Sequence, residues 1–188
     1  MKTINSIFVG VLFTLSLHAT TCTIHSGKWT DPLVWSNHYI GSTIIAGDMV
    51  IITGQVTMNT ALVIEGTLEI KKGAGLIGMN NLTISKNGKL LNNGNTVVKE
   101  MVNRGNISNS GCLEAITNIE NQSAIENTSH IIACNNLSSS SGNISGRDGS
   151  FYGNHSVSIS ASTEVSSGIK FFCENESKTA VSMRQPKP

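Results

Sequence analysis

Four aromatic side chains, Trp29, Trp35, Tyr39 and Tyr152, are the groups in this sequence best suited to hold a ligand. A flat π face stacks on the apolar face of a sugar ring, and the hydroxyl or indole N–H at its rim hydrogen-bonds. Trp29 and Trp35 also suit a second task, since large aromatics are buried on average and two close together can cover an exposed core. Covering is the favoured reading for the tryptophans, and sugar stacking by all four aromatics is the alternative. Acid–base chemistry has less to work with. Asp occurs only at Asp31, Asp48 and Asp148, too scattered to form the calcium cluster of a polysaccharide lyase. Glu120 and Glu126 stand six residues apart, a spacing that here separates them onto different faces. His130 and Cys134 suggest half of a metal site, but no second pair has ligand-like spacing. No phosphate loop and no Ser-His-Asp arrangement is evident. The expectation is therefore no catalytic residue, no metal and no cofactor.

The elements that must position these residues follow from a six-residue rhythm. An aliphatic residue returns at Met101, Ile107, Leu113, Ile119, Ile125, Ile131 and Leu137. Small or polar residues stand four later, at Gly105, Gly111, Thr117, Ser123, Ser129, Asn135 and Ser141. Ala115 and Ala133 mark a longer period of 18. Such a pattern is a β-solenoid, in which each hexad is a strand plus a corner, three hexads close one coil, and coils stack about 4.8 Å apart. Stacking at that period places Asn103 over Asn121 and then Ser139, with Asn109, Asn127 and Ser145 in a second column. Stacked amides hydrogen-bond along the axis and satisfy corner backbone, so these asparagines read as structural.

Upstream, Val50, Ile52, Val56, Met58, Leu62, Ile64, Leu68 and Ile70 alternate in strand fashion, and the looser hexads continue through Leu76, Leu82, Ile84 and Leu90. Gly54, Gly66, Gly73, Gly75, Gly78, Gly88 and Gly94 fall at corners where positive φ is expected. No window has helical period. Downstream the rhythm weakens at Ser138–Ser141, Val157, Ile159 and Ala161 restore it, and Ile169, Phe171 and Phe172 are available to cover the C-terminal end.

Compartment is read from the start of the chain: Lys2, an apolar run from Ile7 to Leu17, then small residues near Ala19, the pattern of a cleaved secretory signal. A lipoprotein signal would place Leu three residues before Cys22, where Ala19 stands, so lipid anchoring is disfavoured. Without Lys2 the chain balances 12 basic against 12 acidic residues, which argues against nucleic-acid or anionic-membrane binding. No second apolar run follows, so no transmembrane segment is expected. Export permits disulfides among Cys22, Cys112, Cys134 and Cys173, with the pairing left open; Cys112 and Cys134 overshoot the coil period by four residues.

The segment Ser26-Gly27-Lys28-Trp29-Thr30-Asp31-Pro32-Leu33-Val34-Trp35, followed by Gly47-Asp48-Met49-Val50-Ile51-Ile52 and Gly66-Thr67-Leu68-Glu69-Ile70, resembles the opening of secreted bacterial parallel β-helix proteins. It is also similar to the eight-glycine extracellular domain of large surface proteins. The chain departs from that pattern in having Ile44-Ile45-Ala46 where a proline is usual before Gly-Asp. The resemblance implies a right-handed parallel β-helix outside the cell, often adhesive or polysaccharide-associated, and it transfers no catalytic residue. Strict hexads keep a left-handed helix as the alternative.

Taken together, the expected organisation is a signal at 1–19, an N-terminal cap at 20–48, an all-β single-stranded parallel β-helix of roughly 18 residues per coil with a C-terminal cap at 49–177, and a flexible tail at 178–188. The expected function is a secreted or cell-surface structural and adhesive module that meets a surface polysaccharide or a protein. The alternative is a carbohydrate-binding module using Trp29, Trp35, Tyr39 and Tyr152, or a remnant of a polysaccharide-processing protein. An ice-binding surface would need a regular outward array. The residues after each aliphatic, Val102, Ser108, Glu114, Glu120, Glu126, Ile132 and Ser138, do not make one.

Overall fold

Three parallel sheets, each of eight short strands, wind into a solenoid in a computed structural model that describes residues 20–37, 40–174 and 179–181. The expected signal at 1–19, Tyr39, and the tail beyond residue 181 lie outside the described residues. The first sheet runs from Thr21–Ile24 to Thr163–Val165, the second from Gly27–Lys28 to Lys170–Cys173, and the third from Thr43–Ile44 to Thr179–Val181. Each strand pairs with its counterpart one coil away, so eight levels span about 34 Å at the usual strand spacing.

Alternation along each strand sends every second side chain inward. The expected aliphatic series is the core: Met101, Ile107, Leu113, Ile119, Ile125, Ile131 and Leu137 are all buried, as are Val50, Ile52, Leu68 and Ile70. Coil length is not uniform. On the first sheet Met49 pairs with Thr67, Thr67 with Lys89, Lys89 with Asn106 and Asn106 with Ala124, so the coil from Thr67 to Lys89 is the longest of these and the next is the shortest. On the second sheet the coils from Gln55 to Gly75 and from His130 to Ser150 also exceed the expected period. Corners absorb the extra residues while the inward positions of the strands stay aligned.

Inward asparagines form the expected columns with two changes: Asn92 begins the second column and Ser145 is not part of it. Asn103 Nδ2 donates to Asn121 Oδ1 at 2.7 Å, and Asn121 Nδ2 donates to Ser139 Oγ at 2.9 Å. In the second column Asn92 Nδ2 donates to Asn109 Oδ1 and Asn109 Nδ2 to Asn127 Oδ1, both at 2.8 Å. Ser145 does not continue it, because Glu126 is the residue that pairs with Ser145 and one inserted residue shifts the register. Some of these amides also turn corners: Asn103 Oδ1 accepts from Gly105 N, and Asn127 Oδ1 accepts from Ser129 N, both at 3.1 Å. Since Asn121 and Asn127 are buried, their Asn-x-Ser sequons are closed to glycosylation.

Among the seven corner glycines of residues 54–94, only Gly73 has positive φ, at 82°. The others answer a different constraint. A Cβ at Gly78 would overlap the Met58 carbonyl oxygen, and one at Gly66 would overlap those of Ile45 and Asp48. These glycines let one corner sit directly on the corner of the coil below.

The span 20–48 already supplies one strand to each sheet, so it is the first coil rather than a separate cap. Thr21 pairs with Met49, a longer step than any later one on that sheet, and the surplus forms a covering segment. A 3₁₀ turn at Pro32–Val34, capped by Asp31 Oδ1 accepting from Leu33 N at 3.0 Å, reverses the chain. Trp35 then bridges Ile24 in antiparallel fashion, with His25 N donating to Val34 O and Ser36 N to Thr23 O. At the far end, Thr179–Val181 pairs with Ser156–Ile159, so the solenoid runs past the expected boundary at 177.

Candidate functional site

Outward positions of the second sheet form a stripe with an unusual composition. Register sets Ile77, Val97, Glu114, Ile132, Tyr152 and Phe172 one above another, five of them apolar or aromatic. Ile77 and Phe172 are each 43% exposed. Stacked strands force aromatics at one position in successive coils into contact. Tyr152 and Phe172 therefore lie nearly parallel, at 12° with centroids 4.8 Å apart, and His130 tilts against Tyr152 at 6.1 Å. A cleft of about 320 Å³ opens beside the pair, lined by Tyr152, Gly153, Asn154, Phe172, Cys173 and Glu174.

Of the aromatics singled out in the sequence, only Tyr152 is placed on this face. Trp29 is completely buried and Trp35 nearly so; their rings meet edge to face at 4.9 Å and 86°. Trp29 Nε1 donates to Gly41 O at 2.8 Å, and Trp35 Nε1 donates to Trp29 O at 2.9 Å. Rings enclosed in this way present no face to a sugar, which corrects the carbohydrate role for this pair and leaves the covering role. Phe172, assigned in the sequence to the C-terminal end, points outward, and Phe171 does the covering by packing on Phe151 at 5.3 Å. The spacing of Tyr152 and Phe172 could have revealed their stack, but only with the true length of that coil in hand.

Glu114 breaks the apolar stripe and sits near two thiols. Cys134 Sγ donates to Glu114 Oε1 at 3.3 Å. Burial pushes the Cys134 thiol up, helped by that hydrogen bond and the carboxylate charge, and burial followed by the Glu114 charge pushes Cys112 up as well. Both sulfurs are thus held as protonated, weakly nucleophilic thiols. Cys112 pairs with His130, whereas the Cys134 N–H reaches Ala115 O. The two cysteines are offset by roughly 10–13 Å along the strand, beyond disulfide reach. The same offset separates His130, which opens the strand His130–Ala133, from Cys134, which follows its end. Among the described residues no three His, Cys, Asp or Glu side chains converge on a metal position.

The first sheet carries a second hollow of about 260 Å³, where the small side chain of Ser108 lies in register between Leu91 and Glu126, with Ala124 on the same strand as Glu126. Glu126 is the carboxylate in its lining. Glu120 faces outward from the third sheet and Glu114 from the second, so glutamates six residues apart point in three directions. No helix among the described residues is long and apolar enough to cross a membrane. Comparison with family models, with curated proteins and with solved structures gives no match.

Proposed function

We propose that the chain is a secreted or cell-surface structural and adhesive module without catalytic activity, and that the second sheet is its contact face. The observation that carries this reading is the outward stripe from Ile77 to Phe172, apolar or aromatic at every level except Glu114, on a parallel sheet. Outward apolar and aromatic groups gathered on one face in this way mark interaction surfaces. Divergent glutamates and protonated thiols support a role in contact rather than in bond breaking. The signal-like residues 1–19 and the resemblance to extracellular β-helices support the compartment.

The test uses the purified chain and charge substitutions on two faces. Ile77→Lys and Ile132→Lys place a cation in the stripe, and Ser158→Lys places one on the exposed face of the third sheet. Binding to whole cells of the producing organism and to their extracted surface polysaccharide is measured by surface plasmon resonance. The stripe variants lose binding and the third-sheet variant retains it. Equal binding by all three folded variants would remove the second sheet from the reading. A carbohydrate-binding module is the second reading, and the outward Tyr152–Phe172 pair is the observation that favours it.

A further inference from the structure

The cleft beside Tyr152 and Phe172 combines two pairs of side chains, each related by one coil. Gly153 pairs with Cys173, so the residues that follow, Asn154 and Glu174, leave the sheet at the same corner, one above the other. Tyr152 and Asn154 are two residues apart, as are Phe172 and Glu174, an offset of about 7 Å along the strand direction. An aromatic platform thus lies beside an amide and a carboxylate, across a cleft of about 320 Å³.

From this arrangement we propose that the cleft binds one or two pyranose units of a neutral or amino sugar. The inference rests on the second sheet being the contact face, and it specifies the ligand. Tyr152 and Phe172 shield each other on one side, so the surface they offer is their shared outer edge and the free side of the half-exposed Phe172. Sugar C–H groups pack against such a surface. Asn154 donates to and accepts from ring hydroxyls, and Glu174 accepts from a hydroxyl or an ammonium group. The Glu174 charge sets the selectivity: uronates and sulfated sugars are repelled, and a hexosamine cation is attracted. An apolar peptide side chain would satisfy the rings but leave the amide and carboxylate without partners.

The test is a glycan array carrying neutral, amino and uronic oligosaccharides, followed by titration calorimetry of the full chain with the ligands that bind. Binding to neutral or amino sugars and not to uronates is expected. Tyr152→Ala and Phe172→Ala each weaken it by about tenfold, the loss of one aromatic contact. Glu174→Lys changes an exposed residue, so it leaves the fold intact and shifts preference toward uronates. Binding to no sugar, binding to peptides alone, or a sugar preference unmoved by Glu174→Lys overturns the inference. If no sugar binds while Ile77→Lys still abolishes cell binding, the ligand assignment fails and the adhesive reading stands. If sugars bind through Tyr152 while cell binding ignores the stripe, the reverse holds.

Discussion

At the scale of single residues, the interior is held by amides as well as by aliphatic packing. Asn109 accepts from Asn92, donates to Asn127 at 2.8 Å and donates to His130 O at 3.1 Å, and the three asparagine side chains are buried. Breaking such a network strands polar groups whose desolvation is no longer compensated. Asn109→Ala is therefore expected to lower the unfolding free energy by about 1–3 kcal/mol, read from the midpoint of a urea transition. Asn106→Ala, at an exposed position of the same strand, should stay within about 0.5 kcal/mol of the parent. Equal midpoints for the two variants would show that the column contributes nothing beyond packing. The column from Asn103 to Ser139 was legible because those coils keep strict period. Ser145 was misplaced because one residue is inserted between Ser139, which still pairs with Asn121 at the strict period, and Ile144, which pairs with Ile125; in a strand one residue is the difference between core and solvent.

At the scale of elements, the decisive feature is how the first coil ends the stack. An uncovered parallel sheet offers a row of N–H and C=O groups to any passing strand. Here Val34-Trp35-Ser36 runs antiparallel along Thr21–Ile24, Thr23 N donates to Ser36 Oγ at 2.8 Å, and Asn37 Nδ2 donates to Thr21 O at 2.8 Å. Antiparallel pairing cannot be extended by another parallel coil, so the segment covers the edge and also blocks growth from it. The sequence disclosed the tryptophans and their covering role, but the strands on either side were hidden because a two-residue strand such as Gly27–Lys28 has no pattern to read. Gly73 has the expected positive φ, but at corners such as Gly66 and Gly78 the requirement is for close approach, which depends on which carbonyl lies beneath, and that depends on coil length. Trp35→Ala should cost about 3–5 kcal/mol and loosen the covering segment. Light scattering at rising concentration is then expected to show self-association of Trp35→Ala, while Leu33→Ser, 92% exposed on the same segment, remains as the parent. A variant that neither associates nor loses stability would assign edge protection elsewhere.

At the scale of the whole molecule, the solenoid is a stack of unequal coils. The all-β class and the inward series were legible because alternation is a local property of each strand. Coil length was not, since corners carry no periodic signal and a uniform period was inferred from the one region that obeys it. That region has a mechanical consequence. From Lys89 to Leu137 the coils keep close to the short period, the corners are tight, and both asparagine columns run through it. Each coil is stabilised by its two neighbours, and the terminal coils have one. The N-terminal coil is compensated by the tryptophan segment. In the last strand of the second sheet, Phe171 and Cys173 occupy inward positions yet are only partly buried, whereas their counterparts Phe151 and Gly153 are buried. Local opening should therefore become easier from the centre to the first coil and easiest at the last. Native-state hydrogen exchange is expected to find the slowest amides between residues 89 and 139, intermediate ones in Thr21–Ile24, and the fastest in Lys170–Cys173. Uniform protection across all coils would mean that the stack opens as one unit, so that neither coil length nor the asparagine columns sets its stability. Slowest exchange in the last coil would mean that the C-terminal end, and not the middle, is the anchor of the fold.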